Sequence, residues 1–264
     1  MHALGNDFVI IDGRELEPPL NIENYRTISD RRRGVGFDQL LTLLPPRQNG
    51  DIFMRIHNSD GSEAEACGNG TRCVASMLMS QYGIKSITIE TLSGALNCTL
   101  SKANQVTVDM GKVLLNWSDI PLLSKTETLN VRLKDAPFNN CSCVNIGNPH
   151  AVFFAPDIES ICLEKIGPVL ENDIMFPDRA NIEFVKILSE TKIRMRVWER
   201  GVGITPACGS GACAAVVCSV RRGLTNRKTK VLLDGGVLDI EWLENNHILM
   251  TGPTEVSFTG TFVL

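Results

Sequence analysis

Two of the nine cysteines stand in the same chemical setting. Cys67 lies in Ala66-Cys67-Gly68-Asn69-Gly70 and Cys208 in Ala207-Cys208-Gly209-Ser210-Gly211, 141 residues further on. In both places a helical pattern begins directly after the cysteine. A helix start carries N–H groups with no partner inside the helix and a partial positive charge, which lowers a thiol's pKa and favours the thiolate. The glycines let a ligand approach the main chain, and the free N–H groups can hold a carboxylate. One such segment makes a reactive cysteine beside an anion pocket. Two, related by a pseudo-twofold, are expected to face each other across a shared cleft, with an acid and a base on opposite faces of one carbon. That is the requirement for inverting a stereocentre: one thiolate removes the α-proton, the opposite thiol returns a proton, and the helix starts stabilise the carbanion delocalised into the carboxylate. No pyridoxal lysine motif is apparent, so no cofactor is expected. The competing account, two packing residues at helix starts, leaves the Gly-x-Gly after each cysteine unexplained.

The other cysteines lack this symmetry. At the same offset Cys73 falls opposite Ala214 and Cys213 opposite Arg72, and the remaining five have no cysteine counterpart. A metal site is the first alternative, through Cys208, Cys213 and Cys218 or Cys141 and Cys143. No C-x-x-C knuckle completes it, and side chains five apart on a helix diverge by more than about 100°. No metal is therefore expected. Nucleotide binding is weaker still, because neither a P-loop nor a full G-x-G-x-x-G is present. A non-catalytic binding protein built by duplication would not need a thiol in each half.

The elements that must position these residues repeat as well. Beside the cysteine segments, Met54-Arg55-Ile56 matches Met195-Arg196-Val197, and a shift of 142 lays Leu4-Gly5-Asn6 on Ile146-Gly147-Asn148 and Gln39 on Asn181. Matches in one order at one nearly constant offset indicate two homologous halves. Strand-forming runs at 8–12, 51–58, 86–94 and 105–111 are echoed by 151–155, 181–188, 191–199, 230–243 and 247–252. The clearest helices run from just after Cys67 and Cys208 to about Gln81 and Arg222, with Gly83 and Gly223 as stops. The expected fold is α+β: two pseudo-symmetric domains, 1–115 and 116–264, each a curved, mostly antiparallel, barrel-like sheet around a long helix. Residues 116–139 form the crossover, and the final residues are expected to pack back on the first half.

Composition agrees with a small-molecule enzyme. The 264 residues are 43% hydrophobic and 21% charged, with a net charge of −4 and a pI near 5.6. An acidic balance disfavours nucleic acid and anionic membrane as partners. No apolar run approaches the roughly 18 residues of a membrane span. The first residues lack the features of a secretory signal, so a reducing, cytoplasmic setting is expected.

At this point the sequence resembles a known family. Leu4-Gly5-Asn6-Asp7-Phe8, Gly34-Val35-Gly36-Phe37-Asp38-Gln39, Asn58-Ser59-Asp60-Gly61-Ser62-Glu63-Ala64, Cys67-Gly68-Asn69-Gly70-Thr71-Arg72-Cys73, Gly147-Asn148-Pro149-His150, Asn181-Ile182-Glu183-Phe184, Glu199-Arg200-Gly201 and Ala207-Cys208-Gly209-Ser210-Gly211-Ala212-Cys213 together resemble diaminopimelate epimerase, nearly end to end. Proline racemase shares the Cys-Gly-x-Gly pair but not the rest of this set. The resemblance implies interconversion of LL- and meso-diaminopimelate, a lysine and peptidoglycan precursor, without cofactor or metal, by a homodimer. It implies Cys67 as proton donor and Cys208 as acceptor in the LL-to-meso direction, with His150 and Glu199 near the pair and able to set its protonation. It also implies substrate contacts from Asn6, Gln39, Asn58, Asn148 and Asn181, whose amides suit a zwitterion, and from Gly68, Asn69, Gly209 and Ser210 around the reacting carboxylate. Arg200 can fork onto a carboxylate and Glu199 can take an ammonium. Members of the family usually carry several residues ahead of the position of Met1, so a trimmed or misassigned start is expected. Phe258 stands where some members have tyrosine.

Overall fold

In the computed structural model, which describes residues 1–101, 105–134 and 140–263, the chain divides into two units. One comprises Met1–Asp109 with Thr251–Leu264, the other Met110–Met250. Residues 135–139 of the expected crossover, and the last of the expected C-terminal residues, lie outside the described residues.

The first unit runs β1 (His2–Ala3), β2 (Asn6–Asp12), α1 (Ile22–Ser29), β3 (Gln39–Leu44), β4 (Ile52–Asn58), β5 (Glu63–Ala64), α2 (Gly68–Tyr82), β6 (Ser86–Thr91), β7 (Gly94–Leu100) and β8 (Val106–Lys112), whose last residues pass into the second unit. Apolar β-branched and aromatic residues favour these strands. β2 and β3 pair in parallel, β3 and β4 antiparallel, β4 and β6 in parallel, then β6, β7 and β8 antiparallel. Between the parallel strands β4 and β6 the chain must cross over, and α2 makes that crossing. α2 packs against β1 and β2 near one end of the strand order and against β6 and β7 near the other, so the sheet curls around it. Val74, Ala75 and Leu78 of α2 are fully buried there.

The second unit runs β9 (Ser142–Asn145), β10 (Pro149–Phe154), α3 (Leu163–Glu171), β11 (Asn181–Ser189), β12 (Lys192–Glu199), β13 (Gly203–Ile204), α4 (Gly209–Arg221), β14 (Lys228–Leu233), β15 (Gly236–Trp242) and β16 (His247–Gly252). Its pairings have the same senses in the same order: β10 and β11 parallel, β11 and β12 antiparallel, β12 and β14 parallel, β14 and β15 antiparallel. α4 crosses from β13 to β14 as α2 crosses from β5 to β6. Its core-facing side is small, Ala212, Ala214, Ala215 and Val216 being wholly buried, which lets the strands approach closely.

The repeat extends to register. Phe8 stands opposite Gln39 in the first unit, and His150, 142 residues after Phe8, stands opposite Asn181, 142 after Gln39. The α+β class and the repeated unit are as the sequence indicates. The strand order has two free ends among the described residues, so the sheet curves around the helices without closing. Two short helices, α1 and α3, add to the pair anticipated.

Candidate active site

Both cysteines are helix N-caps. Cys67 and Cys208 have extended backbones (φ −150° and −116°), and each sulfur accepts the N–H of the third residue after it, Gly70 and Gly211, at 3.3 Å. A thiol rarely fills this role, which oxygen side chains perform better. Here the cap holds the sulfur over the first turn of its helix, whose unpaired N–H groups begin at Gly68 in α2 and at Gly209 in α4. Cys67 is half-buried and Cys208 is 4% exposed.

In the first unit a linked set of amides surrounds the α2 start. Asn69 donates to Asn6 Oδ1 at 3.2 Å, and Asn6 donates to Asp38 at 2.8 Å. Gln39 donates to Asn58 Oδ1 at 3.0 Å across the β3–β4 rung that pairs them. Asp7 and Asp38 each donate a main-chain N–H to the other's carboxylate, and both carboxylates accept from Arg31. Burial pushes the Asp7 carboxyl up, but hydrogen bonding and charge from Arg31 outweigh it and hold the group below its ordinary value. Asn6 follows Gly5, whose φ of +85° turns the chain between β1 and β2, and Asn148 follows Gly147 at +90°. Side chains with a Cβ resist that conformation, so glycine is needed to aim each asparagine.

The second unit differs in its polar content. Asn148 Oδ1 lies 2.7 Å from His150 Nε2, and His150 Nδ1 lies 2.6 Å from Glu183 Oε1. Asn181 donates to Pro149 O at 3.0 Å and accepts the Arg200 N–H at 2.9 Å, tying β11 to the turn after β12. Glu199 accepts from the Thr205 hydroxyl and hydrogen-bonds Cys208. Ser210 Oγ is 3.6 Å from the Cys208 sulfur. The Arg200 guanidinium donates to Asp178 O at 3.2 Å.

Electrostatics sharpen the role of Cys208. Burial pushes its thiol well above the ordinary value, the Glu199 and Glu183 carboxylates push it further, and the Ser210 hydroxyl and Gly211 N–H oppose them. The helix-start effect expected from sequence is thus outweighed by loss of water. Burial also pushes Glu199 up, against its hydrogen bonds from Thr205 and Cys208. A resting thiol beside a carboxylate that readily takes a proton can hand that proton over and become the base.

The structure therefore gathers Asn6, Gln39, Asn58, Cys67, Gly68 and Asn69 in one unit, and Asn148, His150, Asn181, Glu199, Arg200, Cys208, Gly209 and Ser210 in the other. Glu199 is set against the Cys208 thiol and the Thr205 hydroxyl. Four supporting residues escaped the sequence reading of roles: Asp38, Glu171, Glu183 and Thr205. For Glu183 there was a signal, a carboxylate within a strand whose first five residues are all buried. Among the described residues, no group of three or more His, Cys, Asp or Glu side chains converges to hold a metal ion. No described helix is long and apolar enough to cross a membrane.

Known proteins match this chain along nearly its whole length. A family model described as diaminopimelate epimerase matches residues 1–115 and 142–257. Diaminopimelate epimerase of Rhodospirillum centenum is 52% identical over 98% of this chain and 90% of its own. That of Gluconobacter oxydans is 49% identical over 99% and 96%. Among solved structures, a probable proline racemase from Agrobacterium radiobacter aligns with a TM-score of 0.63 at 16% identity, covering 98% of this chain and 92% of that one. A hydroxyproline epimerase from Agrobacterium vitis aligns at 0.62 and 14%, over 95% and 87%. At such identities these two similarities concern the fold.

Proposed function

The chain belongs to the diaminopimelate epimerase family and is an isomerase, and from that premise we propose that it interconverts LL- and meso-diaminopimelate, on the route to lysine, with Cys67 and Cys208 as its two bases and no cofactor or metal. The observation that carries the reading is the duplicated N-cap: in each unit a cysteine sulfur accepts the N–H of a Gly three residues on, at 3.3 Å.

The steps follow from the groups present. In the LL-to-meso direction Cys208 passes its proton to the Glu199 carboxylate and becomes the thiolate. That thiolate takes the α-proton, and the electron pair left on carbon delocalises into the substrate carboxylate. The N–H groups of Gly68, Asn69, Gly209 and Ser210 stabilise the charge. The Cys67 thiol then gives its proton to the opposite face, and the two cysteines end in exchanged states, ready for the reverse reaction. The amides of Asn6, Gln39, Asn58, Asn148 and Asn181 and the charge of Arg200 bind the second amino-acid head, which is not inverted.

Incubation with LL-diaminopimelate in D₂O tests this. Meso product carrying deuterium at the inverted carbon is expected; meso product without label, or none, overturns it. We further read the protein as a cytoplasmic homodimer. Val256, Phe258, Phe262 and Val263 are exposed apolar residues of the C-terminal segment, a composition that suits a subunit contact. Light scattering at working concentration measures the mass directly.

A further inference from the structure

The two half-sites repeat in backbone but not in chemistry. At the 142-residue offset His150 falls on Phe8 and Glu183 on Leu41, and the strand register agrees: Leu41 pairs with Ile10, Glu183 with Val152. Equivalent glycines of α2 and α4 show what lies beneath each cysteine. A Cβ on Gly70 would meet Leu41 at 2.9 Å and Phe8 at 3.4 Å; one on Gly211 would meet Glu183 Oε1 at 2.9 Å and the Cys208 sulfur at 3.2 Å. The floor under the first helix start is apolar, whereas a carboxyl and an imidazole form the second.

Those two groups are wholly buried, with side-chain exposures of 0%. Asn148 presents Oδ1 to His150 Nε2 at 2.7 Å. An amide oxygen only accepts, so Nε2 carries a hydrogen. Between Nδ1 and Glu183 Oε1, 2.6 Å apart, there is room for a single proton. Glu183 Oε2 is buried without a hydrogen-bond partner, a costly position for a free carboxylate. The groups that face Glu183 are His150 on β10, Glu199 on β12, Cys143 on β9, and Cys208 and Cys218 on α4. Of these, Glu199 is the other carboxyl, and it lies against Cys208.

We propose that Glu183 is a positioning residue of the epimerase reaction: it shares one proton with His150, locks the imidazole with its Nε2–H on Asn148, and keeps the floor under Cys208 neutral. The proton rests on Oε1, or moves to Nδ1 and leaves a carboxylate against an imidazolium. Either way the pair has no net charge, and no other reactant is involved. Loss of the shared proton at alkaline pH leaves a bare carboxylate under Cys208, which opposes its thiolate. At the equivalent positions of the first unit stand Phe8 and Leu41, which cannot share a proton.

The catalytic part of this rests on the cysteine assignments above; the first readout does not. Histidine is labelled with ¹⁵N in the full-length protein, which has four histidines, and His150 is assigned by the signals lost in His150→Asn. In the native protein Nε2 carries the hydrogen directed at Asn148, Nδ1 is displaced from the neutral acceptor position, and Nδ1 shifts again when Glu183, whose carboxyl burial holds above its ordinary value, ionises. In Glu183→Gln, which keeps a hydrogen bond but cannot ionise, that alkaline step disappears. Identical Nδ1 shifts and titrations in the two proteins overturn the shared proton.

The second readout is kcat/KM against pH. Glu183→Gln keeps kcat/KM within about tenfold near neutrality, and its alkaline limb moves to higher pH. Glu183→Leu, the residue of the first unit, frees the imidazole and lowers kcat by roughly 100-fold with KM little changed. A Gln variant whose profile superimposes on the native one overturns the role in the reaction even where the proton is shared, since a hydrogen bond serving structure alone leaves the limb in place. Native protein inactive on diaminopimelate would sink the functional reading and leave the first readout intact.

Discussion

The indole of Trp198 lies directly over Gly167, so close that a Cβ built on the glycine would come within 2.3–2.7 Å of Cδ2, Cγ and Cε3. This contact fastens the end of β12 to α3, and β12 ends in the residue that faces Cys208. Glu171, on the same helix, completes the attachment. It is 5% exposed and accepts from Trp198 Nε1 at 2.7 Å, from the Gly201 N–H at 2.8 Å and from Arg179 at 3.2 Å. The turn carrying Glu199 and Arg200 is thus held from below.

Gly167→Ala is expected to force the indole away and cost roughly 1–3 kcal/mol of stability, as overpacking does. Thermal unfolding measures the loss, and kcat falls with it because Glu199 moves with Trp198. An unchanged melting temperature would show that the indole has space to shift.

Glu171→Leu removes the acceptor of the half-buried Trp198 Nε1–H and of the Gly201 N–H, at a cost of about 1–3 kcal/mol for the two together, since water can reach the Gly201 side. Because the turn bearing Arg200 loses its anchor, KM for diaminopimelate is expected to rise more than kcat falls. Steady-state kinetics on the purified variant distinguish this from the reverse pattern, which would place the role of Glu171 in the chemical step.

Cys67→Ala and Cys208→Ala each remove one base and are expected to abolish epimerisation; near-normal turnover in either ends the two-base mechanism. Glu199→Gln keeps the shape but cannot accept the Cys208 proton, so kcat is expected to fall about 100-fold or more. Retained kcat would mean that the thiolate forms by another route.

Alkaline stability has its own signature. Burial pushes the Cys98 thiol from 9.0 up to about 12, and the residue is 1% exposed. A folded pKa above the unfolded one means stability that is fully present below about pH 9 and is lost as pH rises toward 12. At ~1.4 kcal/mol per unit the loss is on the order of 4 kcal/mol. Cys98→Ala is expected to be less stable at neutral pH by about 1 kcal/mol through the lost contacts, yet to decline less between pH 9 and 12. Parallel denaturation curves across that range would refute it.

What sequence shows of this molecule follows the range of the forces involved. Cys67 and Cys208 as helix starts are legible because capping is local, written in the residue and the three after it. The repeat is legible because each unit keeps its register, seen in Phe8 with Gln39 and His150 with Asn181. Helix α1 is short, and its cap relies on the reciprocal pair Asn21 and Asn24 where the usual signature has Glu or Gln at the second position. Helix α3 contains Pro168, which ordinarily argues against helix. The acidity of Cys208 inverts the local rule because burial, a property of the whole unit, dominates the helix terminus. Glu183 is the same kind of case, since a carboxyl in a buried strand acquires a meaning only when parallel pairing brings His150 beside it.

The second unit occupies one continuous stretch, and the first does not: Met1–Asp109 is joined by residues from Thr251 onward. There His2 and Glu255 exchange main-chain hydrogen bonds at 2.9 Å, and Thr107 meets Thr251 at 2.7 Å. On the ribosome, therefore, the half that is made first is finished last. Every residue around Cys208 has been made while the half bearing Cys67 still lacks the segment from Thr251 onward that His2 and Thr107 bind.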